Sequence, residues 1–264
     1  MIPFYDWSRF TIAGVRVYTF GLLAALAALT AHHFSVRRAR ALGLDPNHAD
    51  VFAIACLVGG FTFGHVLDVV LYRPRLVLER PLELLLLHRG LSSFGGFAGA
   101  VLAGLAYLRW KKLDPRVWAD VTSYAFPFGW AVGRLGCALA HDHPGRRSES
   151  LLAVRFPPDW PPPPEAPMGG PRLDLGLLEL LLTPVLALVV LRVARAKAPP
   201  GVLTGSLAVA YALLRFPLDH LRATDLPESD PRYLHLTPGQ WASLGLLALG
   251  AWLVASGARR GAEG

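Results

Sequence analysis

Arg134, Cys137 and His141 recur at i, i+3 and i+7 within FPFGWAVGRLGCALAHDHPGR, residues 126–146. On a helix these three share one face. Asp142 and His143 follow directly, and Pro144-Gly145 then ends the helix. Arg134 lies well inside the apolar part, where a lone cation is expensive and marks a functional site by default. In one reading it holds an anion, with His141, Asp142 or His143 as acid/base groups beside it. An imidazole titrates near ~6.5, which suits a general base without special tuning. In the competing reading the arginine pairs with a carboxylate and locks two helices together.

A second segment, YALLRFPLDHLRATD (residues 211–225), repeats the pattern. Arg215, Asp219 and Arg222 stand at i, i+4 and i+7, again on one face. Arg215 and Asp219 can neutralise each other, which leaves a spare cation. Two segments each offering an inward arginine make a doubly basic pocket. Guanidinium forks match phosphate oxygens, so the chemistry indicated is phosphate recognition. In a membrane the phosphate at hand belongs to a phospholipid headgroup. Interhelical pairing with Asp120 or Glu179 is the alternative. Cys137 reads as a small, buried, apolar-like side chain. No cofactor and no metal are expected: HDH matches no dependable zinc spacing, and His65 with Asp68 lacks a third ligand.

These residues need a scaffold that shields arginines from lipid. The chain has 264 residues, 53% hydrophobic and 17% charged, against roughly 25% charged in soluble proteins. Apolar segments near 17–34, 51–72, 92–110, 117–140, 175–193, 202–221 and 239–256 approach the ~20 residues that span a bilayer. The expectation is an all-α polytopic membrane protein, a single domain over residues 1–264, with about seven transmembrane helices around a central cavity. No inverted repeat of the transporter kind is evident. The net charge of +7 reflects basic loops and attraction to anionic lipid, with no nucleic acid as partner. Two cysteines, both in apolar stretches, suggest no disulfide framework. The first residues lack the basic region of a cleavable signal, so the first span is expected to be kept. Compact basic clusters at 37–40, 109–116, 192–197 and 259–260 place the C-terminus in the cytoplasm and the N-terminus outside. Residues 73–90 are amphipathic in part and suit an interfacial helix. Residues 141–173 form an outer loop whose proline-rich part, 156–171, favours extended polyproline conformation.

In motif order the chain resembles the prolipoprotein diacylglyceryl transferase family. Val17-Tyr18 is similar to the family's WYG, and Gly64–Leu67 with Tyr72-Arg73-Pro74 to GYVLFY-x-P. LSSFGG (residues 91–96) resembles MSFHGG, and Asp120 an aspartate ahead of the fourth span. Pro127-Phe128-Gly129 and Gly133-Arg134-Leu135-Gly136 resemble PFG…GRxG, the most specific part. Leu178-Glu179 is similar to LYE, Arg215 to Asp225 to FRxxxExxR with a trailing aspartate, and Thr237–Trp241 to the MGQ opening of the last span.

The resemblance implies transfer of a diacylglyceryl group from phosphatidylglycerol to the cysteine thiol of a preprolipoprotein in the bacterial plasma membrane, with a thioether formed and glycerol phosphate released. It implies Arg134 and Arg215 as phosphate binders, with Arg222 and Tyr18 also on the lipid. Asp219, Glu179, Asp120, Gly133, Gly136 and Gly145 support them, in a monomer. The chain also departs from the family. Phe94 stands for the histidine of SFHGG. The signature GRxGNFxNGExxGR becomes GRLGCALAHDHPGR, so Cys137 and Ala140 replace asparagines and Asp142 replaces glutamate. Leu178 replaces the tyrosine of LYE. The catalytic set expected here is therefore His141, His143 and Asp142. The alternative is a non-catalytic paralogue that binds phosphatidylglycerol or another anionic phospholipid.

Overall fold

The computed structural model describes residues 1–72, 74–80, 82, 90, 92–158, 169–226 and 229–263. The chain packs as two units, one made of Met1–Phe34 with Ala119–Gly264 and the other of Ser35–Trp118.

The first unit carries every candidate site residue. Its helices are the N-terminal part of α1 (Thr19–Ala41), most of α5 (Pro115–Ala140), α6 (Leu175–Arg195), α7 (Val202–Asp219) and α8 (Pro238–Glu263). Leu186, Val190, Leu203 and Leu207 form a buried cluster from α6 and α7, flanked by Tyr124, Phe126 and Trp130 of α5. Phe126 and Trp130 are stacked at 5.0 Å, and Tyr211 meets Trp130 edge-on at 5.7 Å. Between apolar helices in lipid such close packing, more than water exclusion, drives association.

Asp120 begins this arrangement. Its carboxylate accepts from the backbone N–H of Gly201 and Thr204, each at 2.8 Å, and from the Thr204 hydroxyl at 2.6 Å. An aspartate on α5 thus caps the first turn of α7, where orphan N–H groups favour an anion. At α8, Thr237 and Gln240 cap reciprocally. Gln240 N donates to Thr237 Oγ1 at 3.1 Å, and Thr237 N to Gln240 Oε1 at 3.0 Å.

The connections on one end of this unit are not featureless. Strands β1 (Ile2–Pro3), β4 (Pro144–Arg147), β5 (Ala153–Phe156) and β6 (Gly170–Asp174) form one sheet in the order β1-β5-β6-β4. A hairpin, β2 (Arg9–Ile12) with β3 (Val15–Tyr18), precedes α1. Strands of two to five residues are too short for alternation to stand out in sequence. Val154 and Phe156 are buried against Ile2, Phe4 and Leu226, a contribution of about 1.5–3 kcal/mol per large side chain. The polyproline expectation falls largely on residues 159–168, outside the described residues.

The second unit contains α2 (Asn47–Leu67), a π-helical turn (Asp68–Tyr72), α3 (Pro74–Glu79) and α4 (Ser93–Trp110). α2 and α4 meet through glycines. A Cβ on Gly95 would lie 2.7 Å from the Phe63 carbonyl, and one on Gly60 would lie 3.1 Å from that of Gly96. His65 is fully buried, with Nδ1 at 3.2 Å from the Gly90 carbonyl. The interfacial helix expected at 73–90 is described only as α3, its remainder lying mostly outside the described residues.

All seven expected apolar segments are helical. Five of them (Thr19–Ala41, Asn47–Val70, Leu175–Arg195, Val202–Asp219 and Pro238–Arg260) are long and apolar enough to cross a membrane. The other two, α4 and α5, have 18 and 26 residues.

Candidate active site

Glu179, buried on α6, receives both central arginines. Arg134 Nε of α5 lies 2.8 Å from Oε2, close enough for an ion pair but outside hydrogen-bond alignment. Arg215 Nη1 of α7 bonds Oε1 of the same carboxylate. Arg215 Nη2 also reaches Asp219 Oδ1 at 2.8 Å, and Arg222 Nε meets that same oxygen at 2.8 Å. Arg222 Nη1 extends to Asp230 at 2.6 Å. Asp219 is completed by the Thr237 hydroxyl. The interhelical pairing with Glu179 is thus formed. The pairing with Asp120 is not: Asp120 caps α7 instead.

Three guanidinium groups carry fifteen N–H donors by chemistry, more than three carboxylates accept in the contacts above. Phosphate oxygens can therefore be added without displacing every ion pair. A narrow, open cleft lies beside the pair, lined by Trp130, Glu179, Leu182, Tyr211, Leu214 and Arg215 among others. Its lining is mostly apolar, with Glu179 and Arg215 the charged members. Arg134 also lies over the Trp130 ring, 4.2 Å from its centroid, a cation–π contact that orients the guanidinium.

Close approaches define the rest of the frame. α8 reaches Asp219 because position 239 has no side chain: a Cβ there would lie 2.6 Å from Asp219 Oδ2. Gly145 is equally constrained, since its Cβ would meet the carbonyls of Leu221 and Leu173 at 2.8 and 2.9 Å. It pairs with Arg222 and so ties β4 to the end of α7. Gly136 approaches Leu23 of α1, whereas at Gly133 a Cβ would touch only Ala27 at 3.7 Å. Tyr18 ends β3 with its side chain exposed.

The three residues after α5 divide into two groups. His141 adopts a left-handed backbone, φ 52°, a conformation glycine occupies without strain at a helix C-terminus. Glycine stands at this place in GRxGNFxNGExxGR. Both His141 ring nitrogens are engaged: Nδ1 with Asp174 Oδ2 at 2.6 Å, Nε2 with the Tyr5 carbonyl at 3.3 Å. Its ring packs against Phe4 and Phe156. Asp174 in turn caps α6 through Leu177 N at 3.0 Å. His141 therefore holds a turn and presents no free ring nitrogen. Beyond it the chain doubles back. Asp142 Oδ1 lies 2.5 Å from His143 Nδ1, and donor atoms of Cys137, Asp142 and His143 fall within 4.8 Å of one another. Cys137 Sγ is also 3.4 Å from Arg134 Nη1. Cys137 is buried, as expected of a small apolar-like side chain, and its sulfur lies against the polar centre.

Sequence reasoning missed two further pairs. Buried Arg172 of β6 forks onto Asp225 at 2.8 and 2.6 Å, and Arg147 approaches the same carboxylate at 3.4 Å. Asp174 gave a readable signal, an aspartate directly ahead of an apolar helix. Arg172 gave none.

Long apolar helices, three of which meet at a buried arginine–carboxylate centre, define a polytopic membrane protein. The pattern of the prolipoprotein diacylglyceryl transferase family matches residues 8–256, and the chain belongs to that family. It is 33% identical over 228 residues to the phosphatidylglycerol–prolipoprotein diacylglyceryl transferase of Geobacter sulfurreducens, covering 84% of each chain. It is 26% identical over 276 residues to the proteins of the same name from Salmonella choleraesuis and Salmonella arizonae, covering 98% of this chain and 95% of theirs.

Proposed function

We propose that this chain transfers the diacylglyceryl group of phosphatidylglycerol to the cysteine thiol of a preprolipoprotein. It acts as a monomer in the bacterial plasma membrane, N-terminus outside. The observation that carries the reading is the convergence of Arg134 and Arg215, from different helices, on Glu179 beside an apolar-walled cleft. The lipid phosphate inserts against these guanidinium groups, with Arg222 at the rim. Charge grows on the departing glycerol phosphate in the transition state, and preorganised guanidinium groups stabilise it. The Asp142–His143 pair takes the acceptor's thiol proton, while His141 and Asp174 position the turn that carries it.

One feature favours the binding-only alternative, namely Phe94 in place of the family's histidine. The test uses purified full-length protein in phosphatidylglycerol vesicles with a signal peptide bearing the acceptor cysteine. Transfer yields a peptide gaining one diacylglyceryl mass together with released glycerol phosphate, and neither with a Cys→Ser peptide. Saturable phosphatidylglycerol binding with neither product overturns the transferase reading in favour of the binding-only one.

A further inference from the structure

We propose that Arg172 and Asp225 are positioning residues for the lipid phosphate: their fork holds the stretch of backbone that carries Arg222. Arg172 of β6 is 1% exposed, and its two Nη atoms lie 2.8 and 2.6 Å from the two oxygens of Asp225. Nη1 also donates to the Gly145 carbonyl of β4 at 3.4 Å. Gly145 forms an antiparallel bridge with Arg222, and Arg146 N donates to the Leu221 carbonyl at 2.7 Å. One guanidinium therefore grips the strand against which residues 221–222 are laid and also the residue three places beyond Arg222. Held on both sides, Arg222 extends to Asp219 Oδ1 at 2.8 Å and to Asp230 Oδ2 at 2.6 Å.

The same bracket ties together the three helices of the charge centre. β4 follows α5, which carries Arg134. β6 runs into α6, which carries Glu179, through the cap at Asp174. Arg222 lies just past the end of α7, which carries Arg215. β4 and β6 pair antiparallel, with Arg147 opposite Arg172 and Pro144 opposite Asp174. A displacement at Asp225 thus reaches Arg222 directly, and Arg215 through Asp219, the carboxylate that both arginines share. Guanidinium–phosphate pairing depends on geometry, so a shift of about an ångström is enough to weaken it.

Stability alone is a poor reason for this pair. Burying Arg172 carries a desolvation cost that an ion pair offsets only in part. Asp225 is 45% exposed, and Arg147, which approaches it at 3.4 Å, is 61% exposed, so solvent screens the attraction. What a planar fork supplies in such a place is a fixed distance and a fixed angle.

The ligand named here rests on the transferase reading, and the test separates the two. Full-length protein in phosphatidylcholine vesicles is titrated with phosphatidylglycerol carrying a fluorophore on one acyl chain, and transfer to the acceptor peptide is followed at the same lipid fractions. Arg172→Lys and Asp225→Asn should each weaken phosphatidylglycerol binding and raise its KM by about tenfold, the scale of one charge-assisted hydrogen bond. The kcat per folded molecule should stay within about twofold of wild type, the signature of lost ground-state binding. A purely structural bond would lower the melting point and the active fraction and leave KM and affinity unmoved. Because Arg172 acts through Arg222, the double variant Arg172→Lys with Arg222→Lys should bind no more weakly than Arg222→Lys alone. Arg147→Ala, on the exposed side, should keep the affinity. If Arg172→Lys fails to fold, Asp225→Asn paired with Arg222→Lys makes the same comparison. Unchanged affinity and KM, losses that multiply in the double variant, Arg222→Lys binding as tightly as wild type, or an equal loss in Arg147→Ala overturns the proposal. Weakened binding in the variants with no transfer by wild type supports the positioning role and counts against the transferase reading. Transfer with unmoved KM and affinity does the reverse.

Discussion

Arg134 on α5 and Arg215 on α7 are joined through one carboxylate, Glu179 of α6, whose two oxygens each take one guanidinium. Three helices thus meet at a single buried anion. Removing one partner from such a centre leaves an uncompensated charge, at a cost of about 3–5 kcal/mol. Glu179→Gln should therefore lower thermal stability in detergent by that order. Glu179→Asp, one methylene shorter, should lose contact with one arginine and fall between. Thermal unfolding of both variants checks this, and an unchanged midpoint in Glu179→Gln refutes the shared-anion account.

Arg134→Lys and Arg215→Lys separate charge from geometry. Lysine keeps the cation but lacks the planar fork that matches phosphate. Each variant should slow glycerol phosphate release by about 10²–10³-fold, the usual cost of losing a transition-state donor. Near-normal rates in either would mean that charge alone suffices.

Asp120 answers a different question. Its three hydrogen bonds join α5 to the start of α7, with the polar centre served by other residues. Asp120→Ala should cost about 1–3 kcal/mol of stability. The transfer rate per folded molecule should stay the same well below the melting point. A kcat defect at full stability would give Asp120 a direct part in the reaction.

His141 can be tested as a turn residue. A non-glycine side chain in the left-handed region costs roughly 1–2 kcal/mol, and His141 offsets this through Asp174. His141→Gly should accordingly be more stable than His141→Ala and should retain most transfer. If His141→Gly folds normally yet loses transfer completely, the histidine acts as an acid or base after all.

The Arg172–Asp225–Arg147 cluster should give an acid-dependent stability. Hydrogen bonds from Arg172 hold the Asp225 carboxyl down to about 2, against ~3.9 in an unfolded chain. A lowered folded value contributes stability that is complete above the unfolded value and lost as pH falls through the folded one. The window therefore runs from about pH 4 down to about 2. Asp225 is 45% exposed, so solvent screening keeps the effect modest. Asp225→Asn should flatten this part of the stability–pH profile, as read by chemical denaturation.

The sequence by itself determined the membrane class, the helical segments and the two arginine-bearing faces, because hydropathy and the 3.6-residue period are local. PFG, GRLG and FPLDHLR stood in order along the chain, so the family was legible too. Which carboxylate meets which arginine was not legible. Asp120 and Glu179 looked equivalent as partners, and only helix packing assigns one to a cap and the other to the arginines. The turn at His141 was equally hidden. Nothing in CALAHDHPGR shows that its backbone reverses there, because a φ of 52° is held by Asp174, Phe4 and Phe156, all distant in sequence. Beside that turn the donor atoms of Cys137, Asp142 and His143 come within 4.8 Å of one another, a cluster that their spacing in sequence does not announce.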